Sequence, residues 1–511
     1  MGSVDSNLRR GRFAPFVGLV ALLVGVAPVL ASTYTTSGLV DTSGLSPFAA
    51  CTADDVAGQE EAFGDRNFLH AEVEPWIDVN PTNPLNFVGG YQQDRWEFGG
   101  SRGDVASVTM NGGASWTQVV IPGVTKCEGG PFYRATDPWL SFGPTGDLWF
   151  VSQAFNDVQT GMLVSKSTDG GQTWGDPVDV SPNFSDPPRF PFDDKVAVTA
   201  DSGDPNYVYV VWDRGLIPLS WTRAPNEHFQ FWGSKQPTLL ARTTDGGKTW
   251  EEPRKLYDPG ANNATIFSQI VVLPDGTLVD MFLEFLTRKG DAHGSQFTAY
   301  ATLVRSTDKG AHWDRPIRIA SQVPAFLLDT QLPQRVGGQA IAVDRNPASP
   351  GYGNLYAVWL DGRFSDSEFG DIAFSMSSDG GITWSDPRRA NQTPRGHSAF
   401  TPAVAVAADG TVGVCYYDER NYPGDAGGGP LTTDVWLSHC HAGADCTATS
   451  NWSETHVAGP FDQKQAAEAG GLFLGDYAGL AAAGNVFFPY YALAIDRDTN
   501  PSDVYFAAVG P

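Results

Sequence analysis

Ser167-Thr168-Asp169-Gly170-Gly171-Gln172-Thr173-Trp174 decides the fold, because its pattern returns four more times along the chain. The other copies are Thr109-Met110-Asn111-Gly112-Gly113-Ala114-Ser115-Trp116, Thr243-Thr244-Asp245-Gly246-Gly247-Lys248-Thr249-Trp250, Ser306-Thr307-Asp308-Lys309-Gly310-Ala311-His312-Trp313 and Ser377-Ser378-Asp379-Gly380-Gly381-Ile382-Thr383-Trp384. All five read [ST]-x-[DN]-x-G-x-x-W. The residue types are those of a tight β-turn: a short carboxylate or amide accepts N–H bonds across the turn, glycine takes positive φ, and tryptophan packs under the hairpin. Such a unit staples two strands and is not itself a reactive site. Self-similarity at this spacing means a repeat architecture.

Upstream of each turn lie two apolar strand signals joined by Pro, Gly or Asn, as in Trp76–Val79 followed by Asn86–Tyr91, or Ile270–Leu273 followed by Thr277–Phe282. Strand, strand, strand, turn, strand is the four-stranded blade of a β-propeller, and no long helical period competes with it. A sixth turn is degenerate: Asp434–Ser438 reads as the strand before it, Trp452 follows, and Cys440 with Cys446 replaces the aspartate as the staple. Gly475–Ala481, Val486–Ala492 and Asp503–Val509 then supply three strands of a seventh blade, and the chain stops. The expectation is an all-β propeller with seven blades favoured over six, in which residues between about 50 and 72 add the missing outermost strand.

The five turns resemble the Asp-box of the sialidase (neuraminidase) superfamily, also known as the BNR repeat, and the resemblance covers most of the chain after about residue 73. Sialidases have six blades, so a count of seven departs from the family. The resemblance implies a glycoside hydrolase that holds a sugar carboxylate with three arginines, protonates the leaving group with an aspartate and attacks with a tyrosine. Tyrosine suits that attack because the reacting carbon carries a carboxylate, which would repel a carboxylate nucleophile. Gly475-Asp476-Tyr477-Ala478 matches the family's tyrosine segment and makes Tyr477 the candidate nucleophile. Asp104 or Glu97 is the candidate acid/base, and Arg95, Arg214, Arg363 and Arg420 are the candidate substrate-binding arginines.

Those arginines belong to a pattern. Asp94-Arg95, Asp213-Arg214, Asp361-Gly362-Arg363 and Asp418-Glu419-Arg420 all end second strands, and Asp104, Asp371 and Asp434 open the strands after three of them. The functional reading is a ring of anion clamps and acids. The structural reading is that each arginine pairs with an acid to hold its own loop. Other family positions are absent: Glu74-Pro75-Trp76-Ile77 stands where the family has an arginine, Arg189-Phe190-Pro191 falls in a later blade, and Ile266 or Phe267 stands where the activating glutamate belongs.

Asp and Glu outnumber Lys and Arg by 58 to 33, a net charge of −25, which argues against nucleic acid and anionic lipid as partners. Arg9, Arg10 and Arg12 precede an apolar run from Phe13 to Leu30 that Pro15, Gly25 and Pro28 interrupt, which reads as a signal peptide (1–31) cleaved after Ala31. The domain plan is then an N-terminal segment over 32–72 and the propeller over 73–511, in a secreted or periplasmic protein without stable membrane insertion. Export permits disulfides, and the spacing suggests Cys51 with Cys127 and Cys440 with Cys446, leaving Cys415 buried in a strand. That pairing sets aside a metal site at His439, Cys440, His441 and Cys446, so neither metal nor cofactor is expected. Asn183, Asn263, Asn391 and Asn451 are glycosylation sequons. Two functions stand open: a glycosidase of exo-sialidase type acting on a glycan or glycoprotein, and a non-catalytic propeller that binds a protein or polysaccharide.

Overall fold

The computed structural model describes Gly2 and residues 33–511 apart from 157–158, 182–188, 219–234, 288–296, 326–337 and 425–428. The expected signal peptide and the sequon at Asn183 lie outside the described residues. The described strands after Tyr34 belong to one compact unit, Tyr34–Pro511.

The strands pair as consecutive antiparallel meanders of four, designated I to VII. Meander I consists of Asn67–Val79, Phe87–Trp96, Ser101–Thr109 and Thr117–Val120. The first strands of II to VI are Arg134–Phe142, Arg189–Ala200, Ala264–Val272, Gln339–Val343 and Ala399–Val406. Meander VII consists of Gly479–Ala483, Val486–Asp496 and Asn500–Gly510, and its fourth strand is Thr35–Asp41, antiparallel to Asn500–Gly510. That outer strand comes earlier than the 50–72 expected from the sequence. Residues 67–79 are already taken as the first strand of meander I, and Cys51 is bridged to Cys127 beside it. Single residue pairs, Ala71 with Ser502 and Ser101 with Ala135, join VII, I and II into a larger mixed sheet.

Each first strand lies against the first strand of the next meander, and that of VII lies against that of I. Together they line a cavity of about 590 Å³ with residues from all seven, among them Ile77, Leu140, Thr199, Ile270, Ile341, Ala405 and Ala481. The middle strands are buried on both faces, as with Phe87–Trp96 and Leu355–Asp361, and the latter accordingly runs apolar without alternation up to its aspartate.

The five repeated turns share one hydrogen-bond scheme. In the second, Ser167 Oγ donates to Asp169 Oδ1 at 2.9 Å, Gly171 N donates to Ser167 Oγ at 2.9 Å, and Thr173 N donates to Asp169 Oδ1 at 2.9 Å. The backbone N–H and then the hydroxyl of Thr249 hold the Asp245 carboxylate down at about 2. Gly171 has φ 92°, and a Cβ there would meet Val88 of the preceding meander at 2.8 Å. Gly113 likewise faces Phe506, so the turn of I rests on VII as the turn of II rests on I. The tryptophans are half-buried: Trp116 lies 5.0 Å from Phe506 of VII between ring centroids, and Trp174 lies 5.6 Å from Phe150 of its own meander and packs on an apolar cluster drawn from I and II. In VI a disulfide closes Cys440 on Cys446, and Trp452 Nε1 donates to Cys446 O at 2.9 Å, replacing the aspartate staple. The second bridge joins Cys51 to Cys127, and Cys415 is a buried free thiol.

Candidate functional site

Antiparallel strands alternate ends, so the segments leading into first strands and those joining second to third strands share one end, opposite the repeated turns. At that end the first strands of I, II, III, IV and VI break register. Each break holds a non-glycine residue at positive φ: Glu74 (55°), Asp137 (52°), Lys195 (55°), Phe267 (64°) and Thr401 (51°). Gly338, at φ 82°, precedes the first strand of V. A left-handed residue other than glycine costs of order 1 kcal/mol or more, and a bulge re-aims its side chain out of the strand's alternation. Here three bulge side chains meet.

Lys195 Nζ donates to Glu74 Oε1 at 3.2 Å and to Asp137 Oδ1 at 3.0 Å, and it pairs with Asp476 Oδ2. One ammonium thus gathers carboxylates from meanders I and II and from the segment leading into VII. Gly475 is held at close quarters there: a Cβ on it would lie 2.7 Å from Glu74 N. Glu74 and Asp137 also share a hydrogen bond, and Gln92 Nε2 donates to the other Glu74 oxygen. Glu74 and Asp137 are almost wholly buried, whereas the side chains of Lys195 and Asp476 are 11% and 22% exposed and face incoming solvent.

Burial raises the pKa of Glu74, Asp137 and Asp476 against the opposing pull of Lys195, and pushes Asp194 up to about 6. Burial alone would depress Lys195, but Asp137, Asp476, Glu74 and Asp194 raise it well above the ordinary lysine range. Asp104 adds a fifth acid: it is fully buried, neither carboxylate oxygen has a partner of ordinary hydrogen-bond geometry, and burial with Glu128 nearby raises its pKa well above the usual range. Carboxylates outnumber the cations Lys195 and Arg95, which with burial favours the protonated form of the acids. The cluster can donate and accept protons where Lys195 and Asp476 keep a partial exposure.

The structure brings Tyr477, Asp104 and Arg95 to this cluster. Tyr477 Oη donates to Pro138 O at 3.0 Å, and its ring lies 5.1 Å from Trp139, which stacks on Trp76 at 3.5 Å. Burial, then Glu74, Asp137, Asp104 and Asp476, raise the phenol well above its usual pKa, the opposite of activation. Arg95 donates from Nη1 to Gln92 Oε1 at 2.6 Å and lies over the Phe473 ring. Glu97 is half-buried in the turn between the second and third strands of meander I.

The other arginines do not join them. Arg214 makes a bidentate pair with Asp193 at 2.5 and 2.6 Å. Arg363 pairs with Asp361 at 2.8 Å, and Arg420 with Asp418 at 2.7 Å and Glu454 at 2.9 Å. The aspartates that end second strands hold loops and neighbouring strands: Asp213 Oδ1, for instance, accepts from Thr238 at 2.9 Å and Thr265 at 2.8 Å. Sequence reasoning missed Glu74, Asp137 and Lys195. The available signal was an acid before proline and tryptophan at the head of a strand, in Glu74-Pro75-Trp76 and again in Asp137-Pro138-Trp139.

No family model and no curated protein matches the chain. Among solved structures it is similar, at 15% identity and a TM-score of 0.44 over 74% of this chain and 94% of the other, to a protein of unknown function from Dyadobacter fermentans. It is similar to the Hadza microbial sialidase Hz136 at 16% identity and a TM-score of 0.43, over 84% of this chain and 74% of that one. An α-L-arabinofuranosidase of Fusarium graminearum is 13% identical with a TM-score of 0.42, over 75% and 92%. Likenesses this remote carry no assignment of substrate or residue.

Proposed function

We propose that this chain is an exported, seven-bladed glycan-active propeller that takes a neutral sugar, rather than a sialic acid, at the mouth formed by Glu74, Asp137, Lys195, Asp476 and Tyr477. The observation that carries the reading is the single ammonium of Lys195 held by three carboxylates from separate parts of the ring, with Lys195 and Asp476 only partly covered. Seven first strands lining one cavity support the ring, and the two disulfides suit an oxidising compartment.

The charge balance separates this reading from an exo-sialidase. Sialic acid brings a carboxylate, and binding it needs converging guanidinium groups. Arg95 is the one candidate clamp in the cluster, while Arg214, Arg363 and Arg420 neutralise acids elsewhere. Acids in excess of cations repel an anion but suit hydroxyl groups, which donate to carboxylates and accept from an ammonium. Asp476, reached first from solvent, is the proton donor to a glycosidic oxygen, and the buried Glu74–Asp137 pair is the proton reservoir behind it. In an exo-sialidase Tyr477 would be the nucleophile with Asp104 or Glu97 as acid/base; here Tyr477 is a wall of the mouth.

Binding without turnover is the second reading, favoured by a Tyr477 hydroxyl engaged with Pro138 O and an ammonium already surrounded. Calorimetry with neutral and sialylated oligosaccharides, together with release of reducing ends, tests the proposal. Neutral-sugar binding that Lys195→Met abolishes is the expected result, and Asp476→Asn stops turnover in the catalytic reading alone. Cleavage of an aryl sialoside, lost in Tyr477→Phe, would replace this reading with the sialidase one.

A further inference from the structure

A second cavity, of about 270 Å³, opens at the same end of the ring as the Lys195 cluster, between the segment joining the second and third strands of meander V and the segment leading from V into VI. Its size, just under the range typical of drug-sized ligands, is that of a pocket for a single sugar ring. Phe364 and Phe369 supply half-buried aromatic faces. Asp366 and Glu368 stand on one wall and Arg395 and His397 on the other. Aromatic faces can pack on the C–H face of a sugar, and planar charged groups can hydrogen-bond its hydroxyls, so this lining suits a saccharide.

The pocket is built rather than incidental. Ser365 Oγ donates to Phe369 O at 2.6 Å and accepts from Phe369 N at 3.0 Å, and Ser367 N donates to Gly362 O at 2.9 Å. These bonds hold two consecutive non-glycine residues, Asp366 (φ 54°) and Ser367 (φ 70°), in the left-handed region. Strain of that kind persists only where the surroundings over-determine it. The floor is fixed by the Arg389–Asp371 pair at 2.6 Å and by Asn391 Nδ2 donating to Asp371 Oδ1 at 3.0 Å.

We infer that this pocket is a distal saccharide subsite, which engages a further residue of a chain whose end occupies the Lys195 mouth. The inference rests on the glycan reading of that mouth and adds that the ligand is an oligosaccharide or polysaccharide rather than a single sugar. The test is calorimetry on the full chain with cellohexaose, xylohexaose, mannohexaose and α-1,5-arabinohexaose, and with the matching disaccharides. For the hexasaccharide that binds, Phe369→Ala and the surface change Arg395→Ala each raise Kd at least tenfold and leave disaccharide affinity unchanged. Lys195→Met removes both affinities. Unchanged hexasaccharide binding in Arg395→Ala and Phe369→Ala overturns the subsite and leaves the mouth standing, as does an equal loss of hexasaccharide and disaccharide. Wild-type protein that binds none of these sugars overturns the mouth and the subsite together.

Discussion

Lys195→Met is the perturbation that probes the cluster most directly. Methionine keeps the apolar stem and removes the ammonium from Glu74, Asp137 and Asp476. At an effective dielectric near 20, each contact of about 3 Å is worth roughly 5 kcal/mol before desolvation. Desolvating the four ions offsets most of that, so the measurable loss is the cost of leaving buried carboxylates unpaired, about 3–5 kcal/mol at pH 7.5. The loss depends on pH in a definite sense. Lys195 has a raised pKa, so it is charged throughout pH 5–8 and adds no slope of its own. The carboxyls already have raised folded pKa values, with Asp194 at about 6, and removing the ammonium raises them further. A carboxyl raised on folding favours the folded state below its unfolded pKa and loses that advantage as pH rises through the folded value. The variant should therefore recover towards wild type at pH 5, to within about 2 kcal/mol. Urea denaturation of both proteins at pH 5 and 7.5 measures this. A loss below about 1 kcal/mol at pH 7.5, or the same loss at both pH values, would refute the electrostatic account of the site.

Burial raises Asp213 to about 7 and Glu128 and Glu419 to about 8, so the wild type should be more stable at pH 5.5 than at pH 8.5, by upwards of about 3 kcal/mol; a urea midpoint that is flat or rises over that span contradicts it. Trp174→Ala removes a half-buried ring from the apolar cluster shared by I and II and should cost about 2–3 kcal/mol, below the range for a fully buried tryptophan, without altering the proposed glycan binding at the opposite end; melting and calorimetry on one sample show both effects. Removing the Cys51–Cys127 bridge, which spans 76 residues, should destabilise by about 4 kcal/mol, against about 2 kcal/mol for Cys440–Cys446, which spans 6. Equal losses in the two Cys→Ser pairs would show that unfolded-chain entropy is not the governing term.

The repeated turns were legible because each needs specific residues in a short local span: a hydroxyl, a carboxylate or amide, a glycine at positive φ and a tryptophan. The strands upstream were legible because β-branched and aromatic residues recur between turn formers. The outer strand of VII was harder to place. Thr35–Asp41 is mostly exposed, and what commits it is the unpaired edge of Asn500–Gly510, far away in sequence. Nothing local distinguishes it from the residues that follow. The cluster was hidden for a similar reason, since Glu74, Asp137, Lys195 and Asp476 meet only when the ring brings meanders I, II, III and VII together.

The charged pattern at the ends of second strands was conspicuous, and that conspicuousness explains why three of its four arginines, Arg214, Arg363 and Arg420, stay with their own acids while Arg95 alone reaches the cluster. A feature repeated in many blades answers a need that every blade has, here the joining of a loop to a neighbouring strand. Arg363 with Asp361 and Arg420 with Asp418 meet that need within their own meanders. A binding site in a ring instead requires different side chains at equivalent positions. The left-handed bulges supply that arrangement, because the backbone geometry recurs while the residue changes from Glu74 to Asp137, Lys195, Phe267 and Thr401. The chain retains the strained conformation in five of the seven first strands among the described residues, with a side chain that glycine would spare. Three of the five converge on one ion cluster, whose ion pairs and packing hold the strained backbone in place.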